Sequence, residues 1–94
     1  MEIKHSETGR KGRFSVEDDG AHVGEIDYFR SAPGEITIYH TGVDEKFRGE
    51  GLGRDLVDAV VKYAREKGLK IVPKCHFAKK IMEETPEMHD VLAG

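Results

Sequence analysis

Polar and apolar residues alternate along the first part of the chain, and turn-forming residues separate the alternating runs. Strict alternation is typical of strands that bury one face. The runs predict strands at Ile3 to Ser6, Arg13 to Glu17, Ala21 to Phe29 and Glu35 to Thr41. The turns between them contain glycine and lie at Gly9 to Gly12, Asp18 to Gly20 and Ser31 to Gly34. Short turns of this kind join antiparallel neighbours, so the pattern predicts an antiparallel sheet.

The fourth of these strands carries a candidate catalytic residue, His40. Alternation places His40 on the same face as Ile36 and Ile38, and places Thr37 and Tyr39 on the opposite face. A histidine on an apolar face is more often a hydrogen-bonded core residue than a catalytic base. Two interpretations of His40 therefore stay open, a structural residue and a base.

The spacing of the apolar residues lengthens to three or four positions from Leu52 onwards. The apolar positions that follow are Leu52, Leu56, Val57, Val60, Val61 and Ala64. This spacing predicts an amphipathic helix, and Gly68 stands where helices commonly end in a left-handed residue. Leu69 to Pro73 is short and apolar, as expected of a buried parallel strand. Strand, loop, helix and strand then form one right-handed crossover.

Two helical segments are predicted after this parallel strand. The first covers His76 to Glu84 and turns four apolar residues inward, Phe77, Ala78, Ile81 and Met82. The second is a last turn over Pro86 to Leu92 with Met88, Val91 and Leu92 inward. The chain thus predicts an antiparallel sheet of about four strands, extended by one parallel strand and covered by two helices.

Composition narrows the classes of function. The chain has 94 residues and a formal net charge of -3, which leaves no general basic surface for nucleic acid or anionic lipid. No apolar run approaches the roughly 18 residues that span a bilayer, and the first residues contain no apolar signal core. The single cysteine cannot form an internal disulfide, which fits a reducing compartment. We expect one cytoplasmic domain over residues 1–94, a monomer or weak homodimer, with no nucleic-acid or membrane partner.

The loop that leads into the first helix is Arg48-Gly49-Glu50-Gly51-Leu52-Gly53. Glycine adopts backbone dihedrals closed to other residues and lets a ligand approach the main chain closely. The first N–H groups of a helix lack internal partners and lie at the positive end of the helix dipole. A glycine-rich entry to a helix therefore suits a phosphate or pyrophosphate group. The alternative is an ordinary strand-to-helix turn.

This loop resembles the coenzyme-A-binding motif of the GNAT superfamily of N-acetyltransferases. The motif is Arg-x-x-Gly-x-Gly, and Arg48, Gly51 and Gly53 occupy its three defining positions. The loop departs from the P-loop because no Lys-Ser or Lys-Thr follows it, and it lacks the third glycine of the dinucleotide-binding motif. The lead-in His40 to Val43 and the segment Pro73 to Ala78 extend the resemblance to small, single-domain members of the superfamily.

The resemblance implies an α/β (α+β) fold of minimal GNAT type. Such a fold has a mostly antiparallel sheet of about five strands, a parallel pair splayed at the cofactor site and two main helices. The implied cofactor is acetyl-coenzyme A or coenzyme A, and the implied reaction is acetyl transfer to a primary amine of a small molecule or protein. The residues implied to bind the cofactor are Thr41, Val43, Arg48, Gly49, Glu50, Gly51, Leu52, Gly53, Cys75, His76 and Phe77.

Several secondary-structure elements that are usual in the superfamily have no counterpart in this sequence, so functions other than acetyl transfer remain possible interpretations. The resemblance covers Ile36 to Leu92, and the helices that usually precede the motif and the last strands that shape the acceptor site have no counterpart. The main alternative to an enzyme is therefore a coenzyme-A-binding or sensing module with little or no turnover. A protein-binding α/β domain is a third possibility.

Cys75 is the second candidate catalytic residue, beside His40. It directly follows the parallel strand and precedes a predicted helix, with His76 next to it. A thiol at a helix N-terminus tends toward a lowered pKa and a reactive thiolate, whereas a free cysteine also often acts as a small buried hydrophobe. Both interpretations stay open. The histidines and Cys75 show no metal-ligand spacing, so we expect no metal.

Overall fold

The computed structural model describes residues 1–93, and these form a five-stranded sheet with two helices. The elements in chain order are β1 (Glu2–Thr8), β2 (Lys11–Asp18), β3 (Ala21–Ala32), β4 (Glu35–Val43), α1 (Leu52–Lys67), β5 (Lys70–Pro73) and α2 (His76–Glu84). The spatial order of the strands follows their order in the chain. The first four strands are antiparallel, whereas β4 and β5 are parallel. The predicted α/β fold is therefore confirmed.

The turn between β2 and β3 shows how the sequence sets the first hairpins. Asp19 and Gly20 both have positive φ angles, 51° and 80°. Two consecutive residues of this kind form a tight turn whose twist matches that of the flanking strands. Asp18 and Ala21 consequently pair across the turn, as the sequence predicts.

A bulge in β4 changes the face on which His40 lies. Tyr28 pairs with Ile38 and Asp27 pairs with His40, so Tyr39 is an extra residue in β4. One extra residue reverses the alternation of side chains beyond it. His40 is therefore exposed, with 47% of its side chain accessible, and the expectation that it shares the apolar face with Ile38 is wrong.

Helix α1 buries the predicted apolar stripe against the sheet. All six predicted positions are buried, namely Leu52, Leu56, Val57, Val60, Val61 and Ala64. The helix ends at Gly68, whose φ angle of 69° confirms the predicted left-handed end. The Leu69 N–H donates to the Ala64 carbonyl at 2.8 Å. The Gly68 N–H also donates to the Ala64 carbonyl, and together the two bonds close the C-terminal end of the helix.

The C-terminal segment agrees with the sequence in part. Ala78 and Met82 of α2 are fully buried, but Phe77 is 43% exposed and does not face the core. The predicted last turn is a short 3-10 turn over Pro86–Met88. Leu92 then forms a parallel bridge to Ile71 of β5 instead of continuing a helical turn.

The two faces of the sheet differ in what covers them. Both helices pack on one face, where Phe77 of α2 touches Gly53 of α1. No helix in residues 1–93 covers the other face, which we call the open face. It carries an ion pair between Arg13 and Asp27, with N···O distances of 2.6 and 2.9 Å.

The helices described here are too short or too polar to cross a membrane.

Candidate functional site

The glycine loop before α1 leaves its backbone accessible. Gly49 and Gly51 have φ angles of 87° and 80°, which is the left-handed region that disfavours other residues. A Cβ atom built on either glycine would meet no atom within 4 Å. The two glycines are therefore needed for backbone conformation, and the space beside them is open.

The start of α1 presents donors without acceptors. The first hydrogen bond within the helix runs from the Asp55 N–H to the Gly51 carbonyl, at 3.0 Å. The preceding N–H groups, those of Leu52, Gly53 and Arg54, find no acceptor within residues 1–93, and Gly51 has no side chain to cap them. Such N–H groups at the positive end of a helix bind anions. This end of α1 can hold a phosphate or pyrophosphate.

A cleft of about 620 Å³ opens at this helix start. Its volume lies in the range of about 300 to 1,000 Å³ typical of small-molecule sites. The Phe77 ring forms one wall and lies so close to Gly53 that a Cβ atom there would be 2.4 Å from the ring. Gly53 is thus required by packing, whereas Gly51 is required by its dihedral angle.

The parallel strands separate beside the cleft. The pairing of β4 with β5 ends at Ile38 and Pro73. The N–H groups of Lys74 and Cys75 then both donate to the Ile38 carbonyl, at 2.9 and 3.2 Å. The bulge at Tyr39 follows on β4, and the rest of that strand has no β5 partner in the described part of the chain. A ligand arm can therefore lie between the two strands and bond to the β4 backbone.

Most of the residues implied by the family resemblance line this cleft. They are Thr41, Val43, Arg48, Gly49, Gly51, Leu52, Gly53 and Phe77. Glu50, Cys75 and His76 are not among the lining residues. Glu50 and His76 are next in sequence to lining residues, and Cys75 Sγ is 3.5 Å from Oγ1 of the lining residue Thr41. The lining also contains residues that the sequence analysis did not select, namely Gly42, Phe47, Arg54 and Ile81. The sequence contains a signal for Gly42 as a lining residue, because Gly42 lies between Thr41 and Val43, which were both selected.

Cys75 lies beside the cleft at the start of α2. Its Sγ is 3.5 Å from Thr41 Oγ1, and the side chain packs against the core. Burial by itself raises the pKa of the Cys75 thiol, but the Thr41 hydroxyl and the N–H groups of Ala78 and Phe77 outweigh it and lower the pKa. The lowered pKa is the property expected of a thiol at a helix start, whereas the packing against the core is the property expected of a small buried hydrophobe. Both interpretations of Cys75 therefore stay predictions.

The two candidate catalytic residues lie on opposite faces of β4. The Thr41 side chain points toward Cys75, whereas a side chain on Gly42 would point toward His40, with its Cβ 3.2 Å from His40 Nε2. Consecutive strand residues face opposite ways, so the strand separates the Cys75 thiol from the His40 imidazole. His40 instead bonds to Glu25, at 2.7 Å. The two residues therefore do not form a nucleophile–base pair.

The free N–H groups at the start of α1, next to a parallel pair of strands that separate, describe an α/β domain with a cleft suited to an elongated anionic ligand. Comparison with known proteins specifies this class. The family model described as GCN5-related N-acetyl-transferase matches residues 13–91. The chain belongs to this family.

Individual relatives agree with that membership. A GCN5-like protein from Staphylococcus aureus, solved by NMR, is 39% identical, has a TM-score of 0.77, and is aligned over 99% of this chain and 88% of its own. Protein NATD1 of Xenopus tropicalis is 26% identical over 92% of this chain and 78% of its own length. The GNAT family N-acetyltransferase YhbS from Escherichia coli, solved with coenzyme A, is 26% identical with a TM-score of 0.61, over 66% of this chain and 38% of its own.

Proposed function

We propose that this protein is an acetyl-coenzyme-A-dependent N-acetyltransferase whose acceptor is a primary amine of a small molecule or protein. The observation that carries the proposal is the row of unpaired N–H groups at Leu52, Gly53 and Arg54, which opens into a cleft continuous with the gap between β4 and β5. Coenzyme A has the matching shape, a pyrophosphate joined to a long pantetheine arm. The Escherichia coli relative is solved with coenzyme A, which supports the same ligand here.

Different parts of the cleft bind different parts of coenzyme A. The loop from Arg48 to Gly53 holds the pyrophosphate through main-chain N–H groups, with the Arg48 guanidinium adding positive charge. The backbone of β4 near Thr41 and Val43 holds the pantetheine arm. The Phe77 ring closes the side of the cleft over Gly53 and excludes water from the arm.

Bound acetyl-coenzyme A would supply the acetyl group as a thioester. A backbone N–H near Thr41 or Val43, directed at the carbonyl oxygen, stabilises the negative charge that develops when an amine attacks. Because the strand is fixed by its ladder to β3, this donor needs little reorganisation. Holding both reactants in one orientation accounts for a further large part of the rate.

We favour direct attack by the amine over an acetylated Cys75. The thiol packs against the core and is not among the groups that line the cleft, and the imidazole of the other candidate, His40, lies on the opposite face of β4. Its lowered pKa supports the opposite mechanism, in which Cys75 accepts the acetyl group and passes it on. A measurement of intact mass distinguishes the two.

The test is a titration with acetyl-coenzyme A, followed by assays of free coenzyme A released with a panel of primary amines. We expect binding at micromolar affinity or so, a raised melting temperature and release of coenzyme A that depends on an amine. Incubation without an amine should leave the protein mass unchanged, and Cys75→Ala should keep its activity. One added acetyl mass at Cys75, together with loss of turnover in Cys75→Ser, would establish the acetyl-carrier mechanism instead.

Two other results would overturn the proposal in different ways. Binding of acetyl-coenzyme A without turnover of any amine would make this a coenzyme-A-binding or sensing module. Failure to bind acetyl-coenzyme A at all would leave only a protein-binding role for the cleft.

A further inference from the structure

The two edges of the sheet differ in what covers them. At the β5 edge, the Ile71 N–H donates to the Val91 carbonyl at 2.7 Å, and the Ala93 N–H donates to the Ile71 carbonyl at 2.8 Å. No strand of residues 1–93 pairs with the outer side of β1, which is the other edge, and all seven residues of β1 are exposed. A free edge offers its backbone N–H and C=O groups to another strand. The outer edge of β1 is therefore a candidate interaction surface.

The hydrogen bonds of β2 show which backbone groups of β1 point outward. The Arg30 N–H donates to the Arg10 carbonyl at 2.8 Å, so even-numbered residues from Arg10 into β2 bond to β3, and odd-numbered residues bond to β1. The β1 partners of those odd-numbered residues are Glu2, Lys4, Ser6 and Thr8. The backbone N–H and C=O groups that point away from the sheet therefore belong to Ile3, His5 and Glu7.

The start of β1 exposes apolar side chains on the face of the sheet that the helices cover. His5 lies on this face, because its ring stacks on Phe14 of the core. Alternation places Met1 and Ile3 on the same face. Their exposed fractions are 62% and 43%. Two large apolar side chains thus lie next to the free backbone groups of this edge.

The charged side chains of the same segment lie on the open face. Lys4 Nζ is 3.2 Å from Glu17 Oε1. Glu2 lies directly opposite Glu17 on β2, and like charges in that position repel. Glu2 forms no ion pair within residues 1–93. The edge therefore carries an acidic side chain that lacks a basic partner.

One antiparallel register with a second copy of the chain matches both faces of this segment. A two-fold axis at Ile3 places Ile3 opposite its own copy, and places Glu2 of each chain opposite Lys4 of the other. Opposite charges directly across a strand pair stabilise it. An axis at Lys4 would bring two ammonium groups together, and an axis at His5 would place the apolar Ile3 against Glu7. An axis further along leaves Glu2 and Ile3 outside the pairing.

We propose that this protein forms a weak homodimer in which the β1 strands of two copies pair antiparallel about Ile3, with an ion pair between Glu2 of each copy and Lys4 of the other. The five strands of each copy then join into one continuous sheet. The overlap of residues 1–5 on each side buries less than the roughly 1,200 Å² of a stable specific interface. We therefore expect a dissociation constant between about 10 µM and 1 mM.

Lys4 favours this one partner over other strands. A lysine on an edge strand normally deters pairing, because an incoming strand must accept its charge. In the register about Ile3, the incoming strand supplies Glu2 at that position. A strand without an acidic residue there meets an unpaired ammonium group, so the same side chain permits self-pairing and disfavours other partners.

The dimer does not involve the cleft. The cleft is lined by β4, the glycine loop and both helices, and β4 is separated from β1 by two strands. Both clefts stay open in the dimer, so the inference does not depend on the proposed acetyltransferase function.

The first test is sedimentation equilibrium of the chain with no added N-terminal residues, from about 10 µM to about 1 mM. Glu2→Lys and Lys4→Glu each place like charges across the strand pair, so each should weaken association at least about tenfold. The double variant exchanges the two charges and should restore association to within about threefold of the parent. Lys11→Glu is the matched control, because it makes the same charge change opposite Thr8, outside the overlap.

The second test examines the backbone and the register. Ile3→Pro removes an N–H that points outward and leaves the ladder to β2 in place, so it should abolish the dimer while the monomer stays folded. Directly opposite residues have Cα atoms about 5.5 Å apart, which a disulfide can bridge. In a Cys75→Ala background, Ile3→Cys should therefore form a disulfide between copies on oxidation. Ser6→Cys, outside the overlap, should stay reduced at the same concentration.

Each possible result decides the proposal. A chain that remains monomeric at about 1 mM would overturn it, and Lys4 would then only deter strand pairing. A dimer that tolerates Ile3→Pro and both charge reversals would have its interface elsewhere. Failure of the double charge exchange to restore association, or cross-linking of Ser6→Cys in place of Ile3→Cys, would rule out the register about Ile3. Acetyl-coenzyme A binding should be the same in all these variants, so its presence or absence tests the proposed function separately.

Discussion

The two ends of α1 differ in their hydrogen bonding. Backbone N–H groups at the N-terminal end have no partner in the described residues, whereas the side chains near the C-terminal end are paired. At the start of the helix, the N–H groups of Leu52, Gly53 and Arg54 have no acceptor within residues 1–93. They face a cleft, and a left-handed glycine precedes them where a capping side chain would stand. These N–H groups are therefore available to hydrogen-bond a ligand.

The other region is a closed network around Tyr63. The hydroxyl groups of Tyr63 and Tyr28 both donate to Glu7 Oε2, each at 2.7 Å. His5 Nε2 lies 2.6 Å from the Tyr28 hydroxyl oxygen, and its ring stacks on Phe14 with a centroid distance of 3.9 Å. The Tyr28 hydroxyl has one hydrogen, which it donates to Glu7. His5 Nε2 is therefore the donor in the bond between His5 and Tyr28.

This difference separates a binding site from a structural one. The network near Tyr63 contains more titratable groups than the cleft, which on composition alone would suggest catalysis. Its bonds, however, are made within the chain, and across residues 1–93 no buried side-chain nitrogen or oxygen lacks a partner. The start of α1 has few titratable groups but several free donors. Unpaired backbone donors beside open space are therefore the better indicator of a ligand site here.

The comparison predicts that a negative charge at the start of α1 abolishes binding. Gly51→Asp places a carboxylate against the phosphates and a side chain in the left-handed region, where φ is 80°. We expect the affinity for acetyl-coenzyme A to fall at least about 100-fold, which is about 2.7 kcal/mol. Calorimetric titration of the folded variant measures this loss.

A matched variant isolates the charge from the backbone strain. Gly51→Ala carries the same left-handed strain, about 1 to 2 kcal/mol, but its Cβ meets no atom within 4 Å. It should lose stability while keeping most of its affinity. Equal loss of binding in the two variants would mean that the backbone conformation, not the anion, controls the site.

The closed network should affect stability and leave binding unchanged. Tyr28→Phe removes a buried hydroxyl group that bonds to both Glu7 and His5. We expect a loss of about 1.5 kcal/mol in the free energy of unfolding, with unchanged affinity for acetyl-coenzyme A. Denaturant unfolding and the same titration measure the two quantities. Tyr39→Phe is the control, because Tyr39 is 43% exposed and its hydroxyl has no partner in the described residues. A reduced affinity in Tyr28→Phe would show that the two regions are coupled.

The sequence predicts the fold well because most of its local signals agree. Alternation identifies the antiparallel strands, the four-residue spacing from Leu52 identifies α1, and Gly68 marks the end of that helix. The glycine loop predicts the site for a physical reason too, since Gly49 and Gly51 have the positive φ angles that favour glycine. These features depend on neighbouring residues only, so the sequence contains them directly.

What the sequence does not predict depends on contacts between distant residues. Nothing in the pattern of β4 signals the bulge at Tyr39, which moves His40 to the open face and brings it to Glu25. Phe77 has the spacing of a core residue but lies over Gly53, since glycine there leaves room for the ring. The His40–Glu25 bond and the network around Tyr63 join residues far apart in the chain. Periodicity carries no information about such pairs.

The third prediction uses pH to separate the two regions. Hydrogen bonds from Tyr28 and Tyr63 lower the pKa of Glu7 below its ordinary value. A carboxyl group with a lowered pKa in the folded state contributes stability above its unfolded pKa, and loses it as pH falls through the folded value. The stability difference between the parent and Glu7→Gln should therefore be full at neutral pH and shrink below about pH 4.5. Melting curves from pH 7 to pH 3 measure it.

His5 adds a second step at higher pH. Burial lowers the pKa of His5, and the nearby Glu7 carboxylate opposes this effect only in part. The unfolded chain then binds a proton more readily than the folded chain, so stability falls as pH drops below about 6.5. His5→Gln should remove this step and leave the one due to Glu7. Neither variant should change the affinity for acetyl-coenzyme A at pH 7, and a change would again connect the two regions.

The smallest effect is expected for Arg48, the one side chain of the glycine motif that carries charge to the cleft. Arg48 forms no ion pair within residues 1–93, and Arg48→Ala leaves every main-chain N–H of the loop in place. Exposed charges contribute little and are screened by salt. We expect an affinity loss of about threefold, or about 0.7 kcal/mol, and a weaker dependence of affinity on salt concentration. Lys67→Ala, which removes the same charge from the other end of α1, should change neither quantity. If Arg48→Ala lost as much affinity as Gly51→Asp, side-chain charge and not the open backbone would hold the anion, and the contrast between the two regions of α1 would no longer explain where the ligand binds.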